Sequence, residues 1–399
     1  MSEYISQRAK AIKPSPTLTM HAKAREMAAK GINVINFGVG EPDFNTPEYI
    51  KAAGIQAIQD NFTRYTAASG IPELRKAICA KLKNENNLDY SPDEILVTPG
   101  AKASIATVLM ALCNSGDEVL IPTPYWVSYP SQVEMVDAIP VYLPANESTD
   151  FKITAEQLDN ALKTLKKPKV LILNSPNNPT GAVYTKAELQ AIADICVKHD
   201  LLVISDEIYE KLVYDGEEHY SIAQVSAEIK QRTIVINGVS KAFAMTGWRM
   251  GYAAGPIDII KAATRLQGHT TSCVTSITQK ASVTALSEDD GSIEKMRLEF
   301  DRRRNFLVNE INQIPHVSCS LPKGAFYTMA NVGYYIENNR NGITDTNDLC
   351  IYLLENAHIA VVTGTAFGME NYVRFSYANS MENLREGLRR FQNGLESLL

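Results

Sequence analysis

Three runs constrain the fold of this chain more than any other feature: Val170–Asn174 (VLILN), Leu201–Ser205 (LLVIS) and Thr233–Ile236 (TIVI). Each is close to continuously apolar instead of alternating, which is the pattern of a strand covered on both faces. With Ile95–Thr98, Glu118–Pro122 and Val141–Leu143 they recur between about residue 90 and 255, separated by amphipathic stretches such as Lys186–His199. This alternation predicts a doubly wound, mixed but mostly parallel α/β sheet, with functional groups at the carboxyl ends of its strands.

From about residue 292 the pattern changes. A long charged helix over Ser292–Gln313 is followed by strand-like runs at Ala325–Met329, Ile359–Val362 and Tyr372–Ser376, then a helix from Asn379. A smaller α+β domain fits. The first 45 residues hold too few elements to stand alone, so the expected division is a large domain over 46–291 and a small one built from 1–45 and 292–399.

Composition excludes several classes. With 45% hydrophobic and 21% charged residues among 399, the chain is globular, not disordered. Its net charge of −6 gives no electrostatic footprint for nucleic acid; the short clusters Arg302-Arg303-Arg304 and Lys166-Lys167 read as solvated helix faces. The N-terminus has no apolar targeting core and no apolar run reaches roughly 18 residues, so a cytoplasmic protein without a membrane partner is expected. Six scattered cysteines without a C-x-x-C, and six histidines without metal-ligand spacing, predict buried free thiols and no metal site.

Gly38-Val39-Gly40 starts like a dinucleotide fingerprint, but position 43 is Asp and Pro42 obstructs the turn. Four other stretches, each closing a predicted strand, carry the chemistry: Thr98–Lys102 (TPGAK), Asn174–Gly181 (NSPNNPTG), Ser205–Tyr209 (SDEIY) and Ser240–Arg249 (SKAFAMTGWR). Together they offer an amine, a carboxylate, a phenol, a carboxamide and a guanidinium. That set suits an aldehyde cofactor bearing a phosphate and a ring nitrogen, because a desolvated lysine forms a Schiff base, a carboxylate keeps a pyridinium protonated, and Ser/Arg donors fix a phosphate. Taken singly, Asp206 or Ser240 also reads as a helix cap, Lys241 as a surface lysine and Arg249 as a salt-bridge partner.

SPNNPTG, SDEIYE and SKAFAMTGWRMGY, in that order, resemble the fold-type I pyridoxal-phosphate aminotransferases of class I, and the likeness extends from KPSPTLTMHAKA and GVGEPDFNTP through RYTAASGIPELR and PYWVSYP to VRFSYA. The resemblance implies pyridoxal 5'-phosphate as cofactor, with Lys241 as the Schiff-base lysine and proton shuttle. It implies Asp206 at the pyridinium nitrogen, Tyr209 and Asn178 at the 3' oxygen, and Trp126 stacked on the ring. The phosphate would take Ser240, Arg249 and the amides of Ala101 and Lys102, with Tyr65 supplied by the neighbouring subunit of a homodimer. Arg374 would fork onto the substrate α-carboxylate, assisted by Gly40 and Asn178.

The likeness is strongest to the bacterial aspartate and aspartate/prephenate subgroup, in which the lysine matching Lys102 reads the distal carboxylate. This favours aspartate or glutamate as donor and oxaloacetate or 2-oxoglutarate as acceptor. Lys13 and Thr17 in KPSPT match residue types associated with prephenate amination; both also serve simply to begin the segment and its helix. The chain has Gly100-Ala101-Lys102 where the subgroup usually has Gly-Gly-Lys, and Ile105-Ala106 replace a bulkier pair, which leaves substrate breadth open. The alternatives are another class I pyridoxal-phosphate chemistry (a broad aromatic or alanine aminotransferase, or a C–S lyase) and a sensor that binds ligand without turnover.

Overall fold

The computed structural model describes residues 4–12 and 16–399. Among these, seven strands form one sheet in the order Ile95–Thr98, Gly251–Ala254, Thr233–Gly238, Leu202–Asp206, Pro168–Asn174, Glu118–Thr123, Ile139–Pro144. Five neighbouring strands run parallel, and Gly251–Ala254 runs antiparallel to both of its neighbours. The central runs are buried on both faces, as their continuous apolar sequence requires. Register places Asn174, Asp206 and Ile236 side by side at one edge, so the polar residues that close these strands converge.

Helices cover both faces. Lys186–Lys198 begins at Thr185, whose side chain accepts from the Glu188 amide at 3.3 Å, while the Glu188 carboxylate accepts from the Thr185 amide at 2.7 Å. This reciprocal cap contributes about 1 kcal/mol. Leu189, Ile192, Ala193 and Cys196 then recur at helical spacing and pack on the sheet.

The smaller α+β part has a four-stranded antiparallel sheet, Val362–Thr363, Tyr372–Ser376, Tyr327–Asn331 and Ser318–Cys319, flanked by the helices Ser292–Ile311 and Met381–Glu396. Ile35–Asn36 pairs in parallel with Ile359–Ala360. Phe37 packs edge-on to Phe375, and a Cβ at Gly387 would lie 2.3 Å from its ring, so the close approach of the last helix needs glycine there.

Several sequence expectations are corrected. Arg303 and Arg304 are buried: Arg304 pairs with Asp215 and Asp301 and Arg303 with Asp43 and Glu299, while Arg302 alone of the three faces water. Successive helical residues point about 100° apart, so a basic triplet cannot occupy one solvated face. Lys166 and Lys167 are exposed, but in the bend before Pro168–Asn174 and not on a helix. The Ile359–Val362 run divides at Val361 into two short strands with different partners. All six thiols are free, yet Cys79, Cys113 and Cys273 are only partly buried.

Candidate active site

Lys241 follows the Thr233–Gly238 strand and is partly buried, its amine donating to the Gly40 carbonyl. Burial lowers its pKa to about 8, the negative Glu41 opposing and the positive Arg374 and Arg249 adding to the shift. An appreciable fraction of the amine is therefore free at neutral pH. Asp206 closes the neighbouring strand and is buried. Burial raises its carboxyl to about 6, while Tyr129 donates to its Oδ2 at 2.7 Å and limits that rise. The Asn174 amide ties this strand end to the Ser175–Gly181 turn, donating to the Asp206 carbonyl at 2.9 Å and accepting from the Asn178 amide at 2.8 Å.

A second cluster lies at the start of the helix Ala101–Leu112. Gly100, its N-cap, has φ 88°, a left-handed conformation that favours glycine. A Cβ built there would sit 2.5 Å from Nη2 of Arg249, so the missing side chain is what admits the guanidinium. As first-turn groups, the amides of Ala101 and Lys102 have no carbonyl within the helix to accept them. Arg249 donates to the carbonyls of Thr246 at 2.9 Å and Pro99 at 3.4 Å, and Ser240 is buried beside Lys241. Guanidinium and helix start together form a seat for an anion.

Arg374 lies mid-strand in Tyr372–Ser376, buried, donating to Asn178 Oδ1 at 2.9 Å and the Gly38 carbonyl at 3.0 Å. Its guanidinium lies 4.4 Å from the Tyr327 ring centre and 4.9 Å from that of Phe367. Its Nε has no partner, and among the described residues its hydrogen-bond acceptors are neutral. Burial depresses its pKa. Tyr209, also buried, meets the Tyr327 hydroxyl at 3.0 Å, and its pKa is pushed far up by burial.

Lys102 is exposed, its amine 4.8 Å from the Trp126 ring centre; partial desolvation and the charge of Arg249 lower its pKa. Tyr65 is 91% exposed and joins none of these clusters within the chain. Lys13 lies outside the described residues. Thr17 belongs to the helix Pro16–Ala29, its side chain outside the described atoms.

Two buried tyrosines at the site were not singled out from sequence. Tyr129 lies three residues after Trp126, the two rings edge to face at 5.4 Å, and that i, i+3 spacing in PYWVSYP was the available signal. Tyr327 had none, because the pairing that places it is long-range. Elsewhere, Glu207, Glu210 and His219 bring ligand-type atoms within 4.8 Å of one another. Glu210 is paired to Lys81, and Glu207 accepts from Ser205 and Ser221.

A low-pKa lysine and a buried carboxylate at the strand ends of a mostly parallel sheet, facing a buried arginine from the small antiparallel sheet, are the arrangement of a group-transfer enzyme. The chain belongs to the class I and II aminotransferases, whose family match spans residues 32–391. An aspartate aminotransferase of Bacillus sp. (strain YM-2) is 46% identical, the alignment covering 98% of each chain. The aspartate/prephenate aminotransferase of Nitrosomonas europaea is 44% identical over 97% of this chain and 98% of its own. The crystal structure of the aspartate aminotransferase from Rhizobium meliloti superposes with a TM-score of 0.95 at 42% identity, covering 99% of both chains. The sequence-based family and fold class are thereby borne out.

Proposed function

We propose that this chain is an aspartate aminotransferase that moves the amino group between L-aspartate or L-glutamate and the 2-oxo acids oxaloacetate and 2-oxoglutarate, with prephenate as a further acceptor. The observation that carries the reading is Arg374, a buried guanidinium whose hydrogen-bond acceptors among the described residues are neutral, donating to Gly38 while Lys241 donates to Gly40 two residues on. The names of the relatives from Bacillus and Nitrosomonas support the aspartate and prephenate assignments respectively.

The donor set fits pyridoxal 5'-phosphate: an amine lowered to about 8, a buried carboxylate for a ring nitrogen, and a seat at Gly100 that a Cβ would fill. Lys241, Asp206, Tyr209, Asn178 and Trp126 would hold its ring, and Ser240, Arg249 and the amides of Ala101 and Lys102 its phosphate. The bound cofactor supplies an aldehyde and an electron-withdrawing ring. Lys241 moves the proton at the substrate Cα, and Arg374, with Asn178 and Gly40, fixes the α-carboxylate by paired donors that lysine could not reproduce. Lys102 reads the distal carboxylate, and Lys13 and Thr17 add donors for prephenate. Donor and acceptor use one site in turn.

The exposure of Tyr65 supports its delivery to the phosphate site of a second subunit in a homodimer. Arg374 and Gly40 lie in the parts assigned to the small domain (1–45 and 292–399), and Lys241 lies in the large one (46–291). Substrate bridging them draws the domains together and excludes water.

Half-reactions followed by absorbance test the reading. The pyridoxal form is mixed separately with aspartate, glutamate, alanine and phenylalanine, and the aminated form with oxaloacetate, 2-oxoglutarate and prephenate. Fast conversion by the dicarboxylates, with prephenate accepted, is expected. Conversion mainly by neutral or aromatic amino acids would transfer the assignment to a broad aminotransferase.

A further inference from the structure

Tyr327 occupies a junction that no expectation assigned. It opens the strand Tyr327–Asn331 in the small sheet, and its side chain is 1% exposed. Its ring underlies the Arg374 guanidinium at 4.4 Å, a face-on cation contact made stronger by burial. Its hydroxyl reaches out of the small sheet to Tyr209, 3.0 Å away in the turn that follows the Leu202–Asp206 strand of the large sheet. That oxygen also lies 3.2 Å from where a Cβ at Gly40 would sit, so it borders the Gly38–Gly40 segment whose carbonyls accept from Arg374 and Lys241.

One side chain thus touches the seat for the carboxylate and the phenol assigned to the cofactor, and borders the N-terminal Gly38–Gly40 segment. A purely structural tyrosine at this place would satisfy its hydroxyl with a backbone carbonyl, as Tyr214 and Tyr377 do with that of Ala325. Tyr327 bonds instead to a second functional phenol, and the pair spans the boundary between the two sheets.

We propose that Tyr327 is a positioning residue that couples the carboxylate seat at Arg374 to Tyr209, so that an anion bound at the small sheet is felt at the cofactor's ring. The proposal rests on the function argued above. The ring and the hydroxyl have separable duties: the ring orients the guanidinium, and the hydroxyl transmits its state to Tyr209.

The test uses the full chain loaded with pyridoxal phosphate, as wild type, Tyr327→Phe and Tyr327→Leu, with maleate as a non-reacting dicarboxylate. The readouts are the maleate Kd and the pH midpoint of the absorbance of the lysine-bound cofactor, with and without maleate. Tyr327→Phe keeps the ring, so maleate affinity should stay within about threefold while the maleate-induced shift of the midpoint falls by about half or more. Tyr327→Leu should weaken maleate by about tenfold. A Tyr327→Phe enzyme whose midpoint and maleate-induced shift both match wild type overturns the proposal. A wild type that forms no lysine-bound absorbance overturns the assigned function instead. The coupling is then decided in the cofactor-free chain by a double-mutant cycle of Tyr209→Phe and Tyr327→Phe on stabilisation by maleate: non-additivity retains it, additivity removes it.

Discussion

The two ends of the candidate site are built differently. Around Asp206, Tyr209, Asn178 and Arg374 the side chains are buried, and each of the four is held by another protein group at 2.7–3.0 Å. At the other end Lys102 is exposed, its amine 4.8 Å from the Trp126 ring centre. The first region is preorganised by the fold, so its residues deliver fixed charges and donors at little reorganisation cost. The second presents a single exposed cation, and on the proposed function a change of substrate there leaves the buried groups undisturbed.

Substitutions should therefore differ in size according to the end they touch. Lys241→Ala should lower turnover by about 10³-fold or more and abolish the absorbance of the lysine-bound cofactor. Retention of both catalysis and absorbance would remove the preorganised end from the chemistry.

Asp206 gives the next largest effect, on stability. Its carboxyl is raised from 3.8 to about 6 on folding, so in the cofactor-free chain the folded state binds more protons than the unfolded one between these values. Its contribution is complete below the unfolded pKa and is lost as pH rises through about 6, a change of about 3 kcal/mol or roughly a hundredfold in the folding equilibrium. Denaturation midpoints of wild type should therefore fall over this range relative to Asp206→Asn, which lacks the titration. Parallel pH profiles would show that burial does not penalise this carboxylate.

Arg374→Lys retains the charge and loses the fork; KM for aspartate should rise about 10–100-fold with a smaller change in kcat. Lys102→Ala should have the mildest consequence, lowering preference for aspartate over alanine by about fivefold, in keeping with an exposed ion pair. A loss at Lys102 as large as that at Arg374 would erase the contrast between the ends, and equal losses for aspartate and alanine would remove Lys102 from distal recognition.

The sheet was legible wherever burial wrote a continuous apolar run, and Ile95–Thr98 and Tyr372–Ser376 were placed to the residue. Gly251–Ala254 carries little strand signal because GYAA has no β-branched residue; its strand exists because two neighbours bracket it. Of the candidate site, residues next to strand ends were readable, since topology gathers them. The tyrosine partners of Asp206 and Tyr209 were not, because Tyr129 and Tyr327 meet them across 77 and 118 residues of chain. Local patterning marks Tyr129 only by its i, i+3 spacing from Trp126, says nothing of its contact with Asp206, and carries no trace of Tyr327.

The neutral surroundings of the Arg374 guanidinium also bear on how the protein should be handled. A desolvated cation that has no carboxylate partner among the described residues attracts small carboxylates, so acetate, citrate or succinate in a purification buffer should occupy it, raise the melting temperature by mass action and pose as weak competitive inhibitors. Preparations kept in carboxylate-free buffer should melt lower and bind substrate more tightly in apparent terms.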